Sequence, residues 1–190
     1  MSRGRLSVLI PSEDYFLKDK KISDRIYAYI LLKGERIENE IYIDKKIRNG
    51  YKELGINYRT FYKRLDYLAS VGYLEDLGSK YKIKTDMIEK RRFVYRDIIQ
   101  KLYLTNKDNI IKVYVYLSSL YSQYGKNAWF TYNSLLAAIG YSYERNTRNQ
   151  STIESILIEL SKLNIIKYCR TYKPGDKYMI KFQLLYVKVR

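Results

Sequence analysis

Apolar residues recur along this chain with two periods. Phe61, Leu65 and Leu68 stand four and three residues apart, with Val71 and Gly72 continuing the series. That spacing puts them on one face of a helix. Ile153, Ile156, Leu157, Leu160 and Leu163 form a second such stripe. Apolar patterning predicts further helices over residues 22–33 and 108–124. Two more, over 44–54 and 132–139, run up to Gly55 and Gly140, where a helix C-terminus takes a left-handed residue. Asn57 is placed to cap the helix carrying Phe61, and Ser151 or Thr152 the helix carrying Ile153. Paired strands are predicted over 73–77 and 80–84 around Gly78-Ser79, and over 165–171 and 178–185 around Lys173-Pro174-Gly175-Asp176.

These elements occur twice in the same order. Tyr15-Phe16-Leu17-Lys18 aligns with Leu102-Tyr103-Leu104-Thr105, and Ile26-Tyr27-Ala28-Tyr29-Ile30 with Val113-Tyr114-Val115-Tyr116-Leu117, at one constant offset. Leu54-Gly55 then aligns with Ile139-Gly140. Further on, the segment from Leu68 to Leu74 aligns with that from Leu160 to Ile166, and Tyr81-Lys82-Ile83-Lys84 with Tyr178-Met179-Ile180-Lys181. The offset widens just after Gly140 and in the last hairpin, as insertions in connections would make it. Helix, helix, helix, hairpin is the order of a winged helix-turn-helix. The expected fold is therefore α+β, mainly helical, with two tandem winged helix-turn-helix domains related by an internal repeat. The first is set at 8–85 and the second at 93–190. The connecting segment 86–104 is predicted to be partly helical.

Composition narrows the function. The 190 residues hold 36 Lys and Arg against 20 Asp and Glu, a formal net charge of +16. Both halves carry a positive excess, which calls for a polyanionic partner. There is no His, so triads and dyads that use it are excluded. Cys169 stands alone, so the chain has no disulfide framework and no multi-cysteine zinc site. A lone thiol fits a reducing cytoplasm. No apolar run approaches the length of a membrane span, and residues 6–10 are too short for a signal peptide. No phosphate-binding loop is present, since Gly125-Lys126 lacks the upstream glycine. Pro174-Gly175-Asp176-Lys177 reads as a turn. No cofactor is expected and the chain is read as a non-enzyme. The 23 Tyr are read mostly as packing residues whose hydroxyls can meet water.

Candidate DNA contacts follow from the fold. The third helix of such a domain enters the major groove. In the first copy that selects Asn57, Arg59, Thr60, Tyr62 and Lys63, with Arg64 on the flank. Arg59 and Lys63 share a face, and Arg can read guanine while Lys suits phosphate. On the wing, Lys80, Lys82 and Lys84 alternate onto one strand face, although most such charge runs are simply solvated. In the second copy Glu154 and Glu159 suit DNA poorly. Its candidates are Arg145, Arg148, Asn149, Gln150 and Thr152, with Arg170, Lys173 and Lys177 on the wing. These polar residues fit equally a long loop or an early start of the recognition helix.

The Ile10-Pro11 start, the segment Ile22-Ser23 to Ile26-Tyr27, and the phrases from Leu54-Gly55-Ile56-Asn57 to Gly72-Tyr73-Leu74 and from Ile139-Gly140-Tyr141-Ser142 to Ile165-Ile166 carry a family likeness. The chain resembles tandem winged-helix replication initiators of plasmids and phages from low-GC Gram-positive bacteria, both the RepA-N-like kind and the DnaD-type N-terminal domain. The resemblance implies sequence-specific binding of double-stranded DNA at an origin-like locus of a mobile element, with replication proteins as further partners. No separate helicase-recruiting or oligomerising domain is expected, and a homo-oligomer is left open. A transcription regulator with tandem winged helices and a winged-helix protein-interaction scaffold are the alternatives.

Overall fold

A computed structural model describes residues 7–38, 40–45, 47, 49–84, 90–142, 147–171 and 179–185. Nearly half of these are helical, and the strands form small antiparallel sheets, an α+β architecture. In chain order come β1 (Ser7–Pro11), α1 (Asp14–Lys18), α2 (Asp24–Lys33), β2 (Glu35–Ile37), β3 (Glu40–Asp44), α3 (Gly50–Glu53) and α4 (Tyr58–Ser70). Then follow β4 (Leu74–Asp76), β5 (Lys80–Ile83), β6 (Arg91–Tyr95), α5 (Arg96–Tyr103) and α6 (Ile110–Tyr124). The last elements are β7 (Trp129–Phe130), α7 (Tyr132–Ala138), α8 (Thr147–Lys162), β8 (Ile166–Thr171) and β9 (Met179–Leu184).

The chain divides into two compact units. The first comprises Met1–Glu13 with Lys21–Ile111, and the second Asp14–Lys20 with Lys112–Arg190. This division differs from the boundaries at 85 and 93 drawn from the pattern. The segment 86–104 supplies β6, which pairs with β1 from Ser7↔Tyr95 to Pro11↔Arg91, and α5, which packs on α2. Both belong to the first unit. Its helix occupies only the second half of that segment, because Arg92 to Tyr95 alternate in burial as a strand does.

In the first unit α2 is buried along its whole length except Lys33, and Ser23 caps it by accepting the Ile26 N–H. The predicted stripe of α4 is the core face, with Phe61, Leu65 and Leu68 all buried. Ile43, Tyr81 and Ile83 of the sheet are buried as well. The sheet has the order β2-β3-β5-β4. The helix predicted over 44–54 is present only in part. Glu40–Asp44 is strand β3, and only Gly50–Glu53 is helical. Ile41 and Ile43 point inward while Tyr42 lies half-exposed between them, a period of two, and β5 pairs with this strand from Ile41↔Ile83 to Asp44↔Lys80. Pairing with a distant strand outweighs a local helical preference.

The second unit has α6, β7, α7, α8 and the hairpin β8–β9, in a sheet ordered β7-β9-β8. Helix α1 packs on α7 here. Ile153, Ile156, Leu157 and Leu160 are buried as the pattern predicted, with Phe130, Leu135, Leu136, Ile180 and Phe182. Helix α8 begins at Thr147, so Ser151 and Thr152 are not caps. Their hydroxyls instead donate back to the Arg148 carbonyl at 2.8 and 3.0 Å. Turn residues 173–176 lie outside the described residues.

Positions paired by the sequence repeat share unusual backbone. Gly55 and Gly140 both take positive φ, at 63° and 78°. Gly72 and its counterpart Asn164 do so too, at 86° and 54°. The following amides then close matching bonds: Ile56 N–H to the Tyr51 carbonyl and Tyr141 N–H to that of Leu136, both 2.8 Å. Tyr73 N–H reaches the Leu68 carbonyl at 3.0 Å, and Ile165 N–H that of Leu160 at 2.9 Å.

Gly140 carries a second constraint, because a Cβ there would stand 2.0 Å from the Lys18 carbonyl oxygen, whereas one on Gly72 meets nothing within 4 Å. Gly72→Ala should therefore cost only the left-handed penalty of about 1–2 kcal/mol. Gly140→Ala should cost clearly more, because α1 must also be displaced. Urea unfolding of the two variants measures the difference, and equal losses would refute the close-approach argument.

Candidate nucleic-acid interface

Helix α4 is held at its start by Asn57, whose side-chain oxygen accepts the Arg59 N–H at 2.9 Å. Asn57 thus acts as a cap, which accounts for its carbonyl oxygen without any ligand. Arg59, Thr60 and Lys63 lie exposed beyond it. No carboxylate stands in the first turn of α4 or of α8. The helix dipole therefore places partial positive charge at both starts, the arrangement that favours an anion. Tyr62 is half-buried, and its hydroxyl donates to the Ile47 carbonyl at 3.4 Å. Arg64 turns away and donates to the Lys21 carbonyl at 2.6 Å.

In α8 the first turn holds Arg148, Asn149 and Gln150. Of the two readings of this stretch, the early helix start is the one observed. Arg148, Gln150 and Thr152 are exposed, while Asn149 is half-buried and its amide donates to the Ser142 carbonyl at 2.9 Å. Arg145, Lys173 and Lys177 lie outside the described residues.

The strand lysines are placed differently from the pattern's simplest reading. Lys80 and Lys82 do share a face, with Tyr81 and Ile83 buried on the other. Yet acids brought in by neighbouring strands meet them. Lys82 pairs with Glu40, which also accepts the Tyr42 hydroxyl, and Glu75 stands opposite Lys82 on β4. Hydrogen bonds from Lys82 and then Tyr42 draw the Glu40 carboxyl below the ordinary carboxylate range. Asp44 faces Lys80 across β3, and the Lys80 ammonium sits 5.2 Å from the Tyr42 ring centre. Arg170 is engaged likewise: its guanidinium meets Glu154 at 3.0 Å and the Tyr132 hydroxyl at 3.2 Å. Glu154 also accepts from the hydroxyls of Tyr132 and Tyr168. Burial opposes ionisation of Glu154, but the bonds from Tyr132 and Arg170 prevail and its carboxyl is lowered.

The residues brought together with open surface are thus Arg59, Thr60 and Lys63 at one helix start, and Arg148, Gln150 and Thr152 at the other. Sequence reasoning missed Tyr51, Lys52 and Tyr58 beside the first group. The spacing of Tyr58 and Tyr62, one helical turn, was a usable signal; Tyr51 comes from a different helix and gave none. Among the described residues no group of His, Cys, Asp and Glu is arranged to hold a metal ion. No described helix is long and apolar enough to cross a membrane. No protein-family model, curated protein or solved structure matches the chain.

Three half-buried hydroxyls stand against carboxylates. Burial first, and then a neighbouring acid, push Tyr29, Tyr81 and Tyr132 up to about 12; the acids are Glu53, Asp66 and Glu154. A phenol raised above its unfolded value near 10 contributes stability that is complete below about pH 10. That contribution is lost as pH rises through about 12. Phenolate absorbance should show a late-titrating group of tyrosines in this window, coincident with loss of circular dichroism. Tyr132→Phe should remove one chromophore from that late group without altering the rest.

Proposed function

We propose that this chain is a non-enzymatic, sequence-specific double-stranded DNA-binding protein, each unit a winged helix-turn-helix with α4 and α8 as recognition helices. The observation that carries the reading is the matched construction of the two helix starts. Each follows a left-handed glycine turn, Gly55 or Gly140, and each opens with exposed basic and amide side chains and no acid. The strand orders β3-β5-β4 and β7-β9-β8 support it, since both place the first strand outside the hairpin in the same way. The net charge of +16 supplies the long-range attraction.

On this reading affinity comes chiefly from Lys and Arg neutralising phosphates, with counterion release. Specificity comes from Arg59, Thr60 and Lys63 in one major-groove segment and from Arg148, Gln150 and Thr152 in the next. Lys82 and Arg170 contribute less than their charge suggests, because Glu40 and Glu154 already hold them. The resemblance to plasmid and phage initiators supplies the biological setting: initiating or organising replication of a mobile element, with replication proteins as further partners.

Selection from a random duplex library at two salt concentrations tests the reading. The expected result is an enriched motif spanning two major-groove segments about one helical turn, roughly 10 bp, apart. Arg59→Ala should weaken binding to that motif by about 1–3 kcal/mol and relax one position. Lys63→Ala should weaken all sequences alike and reduce the salt slope by about 1. Arg170→Ala should change affinity little. Salt-dependent binding with no motif would overturn sequence-specific reading, and no binding at low salt would overturn DNA as the partner.

A further inference from the structure

Tyr58 opens α4 and is 56% exposed. Its ring is nonetheless held on two sides. It lies 5.4 Å from the Tyr51 ring at an interplanar angle of 86°, and 4.6 Å from the Tyr62 ring at 51°. Tyr62 in turn meets the fully buried Phe61 edge-on at 5.4 Å and 84°. A row of rings therefore runs from the core of the first unit out to solvent at the head of the helix. Cations neighbour it along the chain: Arg59 follows Tyr58 and Lys63 follows Tyr62, both exposed on α4, and the Lys52 ammonium stands 5.9 Å from the Tyr51 ring centre. Glu53, the acid next to Lys52, is drawn off by Lys33 at 3.1 Å.

We propose that Tyr58, braced by Tyr51 and Tyr62, is a specificity-determining contact that reads thymine through its C5-methyl group. This rests on the reading of α4 as the helix that enters the major groove. Within that groove the edges of the bases are polar except for the methyl of thymine. A ring edge presented at a helix N-terminus, where base contacts concentrate, has that methyl as its apolar complement. The bracing matters because a side chain already fixed loses little rotamer freedom on binding. The neighbouring cations lie where phosphates flank such a contact. Arg59 and Lys63 alone would select guanine or no base; the tyrosine row adds a preference for thymine beside it.

The test uses the full chain and the duplex enriched from the random library. That duplex is synthesised with uracil replacing thymine at each position in turn, which deletes one methyl group and nothing else. Wild-type protein should lose affinity about fourfold at one thymine or two adjacent ones, the value of one buried methyl-sized group. Tyr58→Ala should bind more weakly and be indifferent to uracil there. Tyr58→Phe should keep the discrimination, since the ring and not the hydroxyl makes the contact. The exposure of Tyr58 leaves these variants folded, which thermal melts check. A wild-type protein indifferent to uracil at every position, or Tyr58→Ala retaining the same sensitivity, overturns the thymine assignment while leaving DNA binding intact. A library that yields no motif overturns the reading of α4 itself and the assignment with it.

Discussion

The first unit depends on a charged pair buried at the head of α2. Arg25 and Asp24 are almost wholly removed from solvent, which costs several kcal/mol per ion unless each is fully bonded. Their bonds are therefore obligatory. Arg25 donates to the carbonyls of Tyr103 at 3.0 Å and Leu54 at 2.7 Å, and lies 3.8 Å from Asp108. Asp24 accepts from the amides of Arg25, Asn109 and Ile111. Burial pulls the Arg25 guanidinium down from its ordinary value, and Asp108 and Asp24 push it back. The geometry ties the end of α5, the start of α6 and the residue just before Gly55 to one point. The turn that presents α4 is thus hung from the core and not left to its own propensities.

The second unit repeats the device with a different cation. Lys112 occupies the position that the repeat aligns with Arg25, is fully buried, and donates to the Asp19 carbonyl at 2.7 Å. Asp19 follows α1, as the Tyr103 carbonyl ends α5. In both units a buried cation holds the C-terminal end of a short helix, where carbonyls lack intrahelical partners and carry partial negative charge. The reach of α1 into the second unit is also why Gly140 has no room for a side chain.

Charge in this protein is distributed less evenly than composition implies. On the hairpin of the first unit, and at Arg170 in the second, positive groups are met by Glu40, Glu75, Asp44 and Glu154. The first turns of α4 and α8 hold no carboxylate of their own, and the helix dipole adds positive potential there. A surface ion pair of this kind contributes little stability, so the pairs on the strands act mainly by taking lysine and arginine out of play.

The stripes of α4 and α8, the glycine turns, the Asn57 cap and both hairpins were legible in the chain, because each depends on residues within a few positions of one another. The left-handed backbone at Gly72 and Asn164, two positions that the sequence alignment pairs, was not foreseen. Strands β1, β2, β3, β6 and β7 went unseen, since each short strand is stabilised by a distant partner more than by its own residues. The candidate contacts divide in the same way. Arg59, Thr60 and Lys63 could be placed by helical spacing, whereas the neutralisation of Lys82 by Glu40, the capture of Arg170 by Glu154 and the bracing of Tyr58 by Tyr51 join separate elements. By itself, then, the sequence determined an α+β chain of amphipathic helices and two hairpins, strongly basic and without histidine. Only the tertiary structure decided which charges stay open and which short helix completes which unit, because those depend on pairings across the fold that local periodicity does not encode.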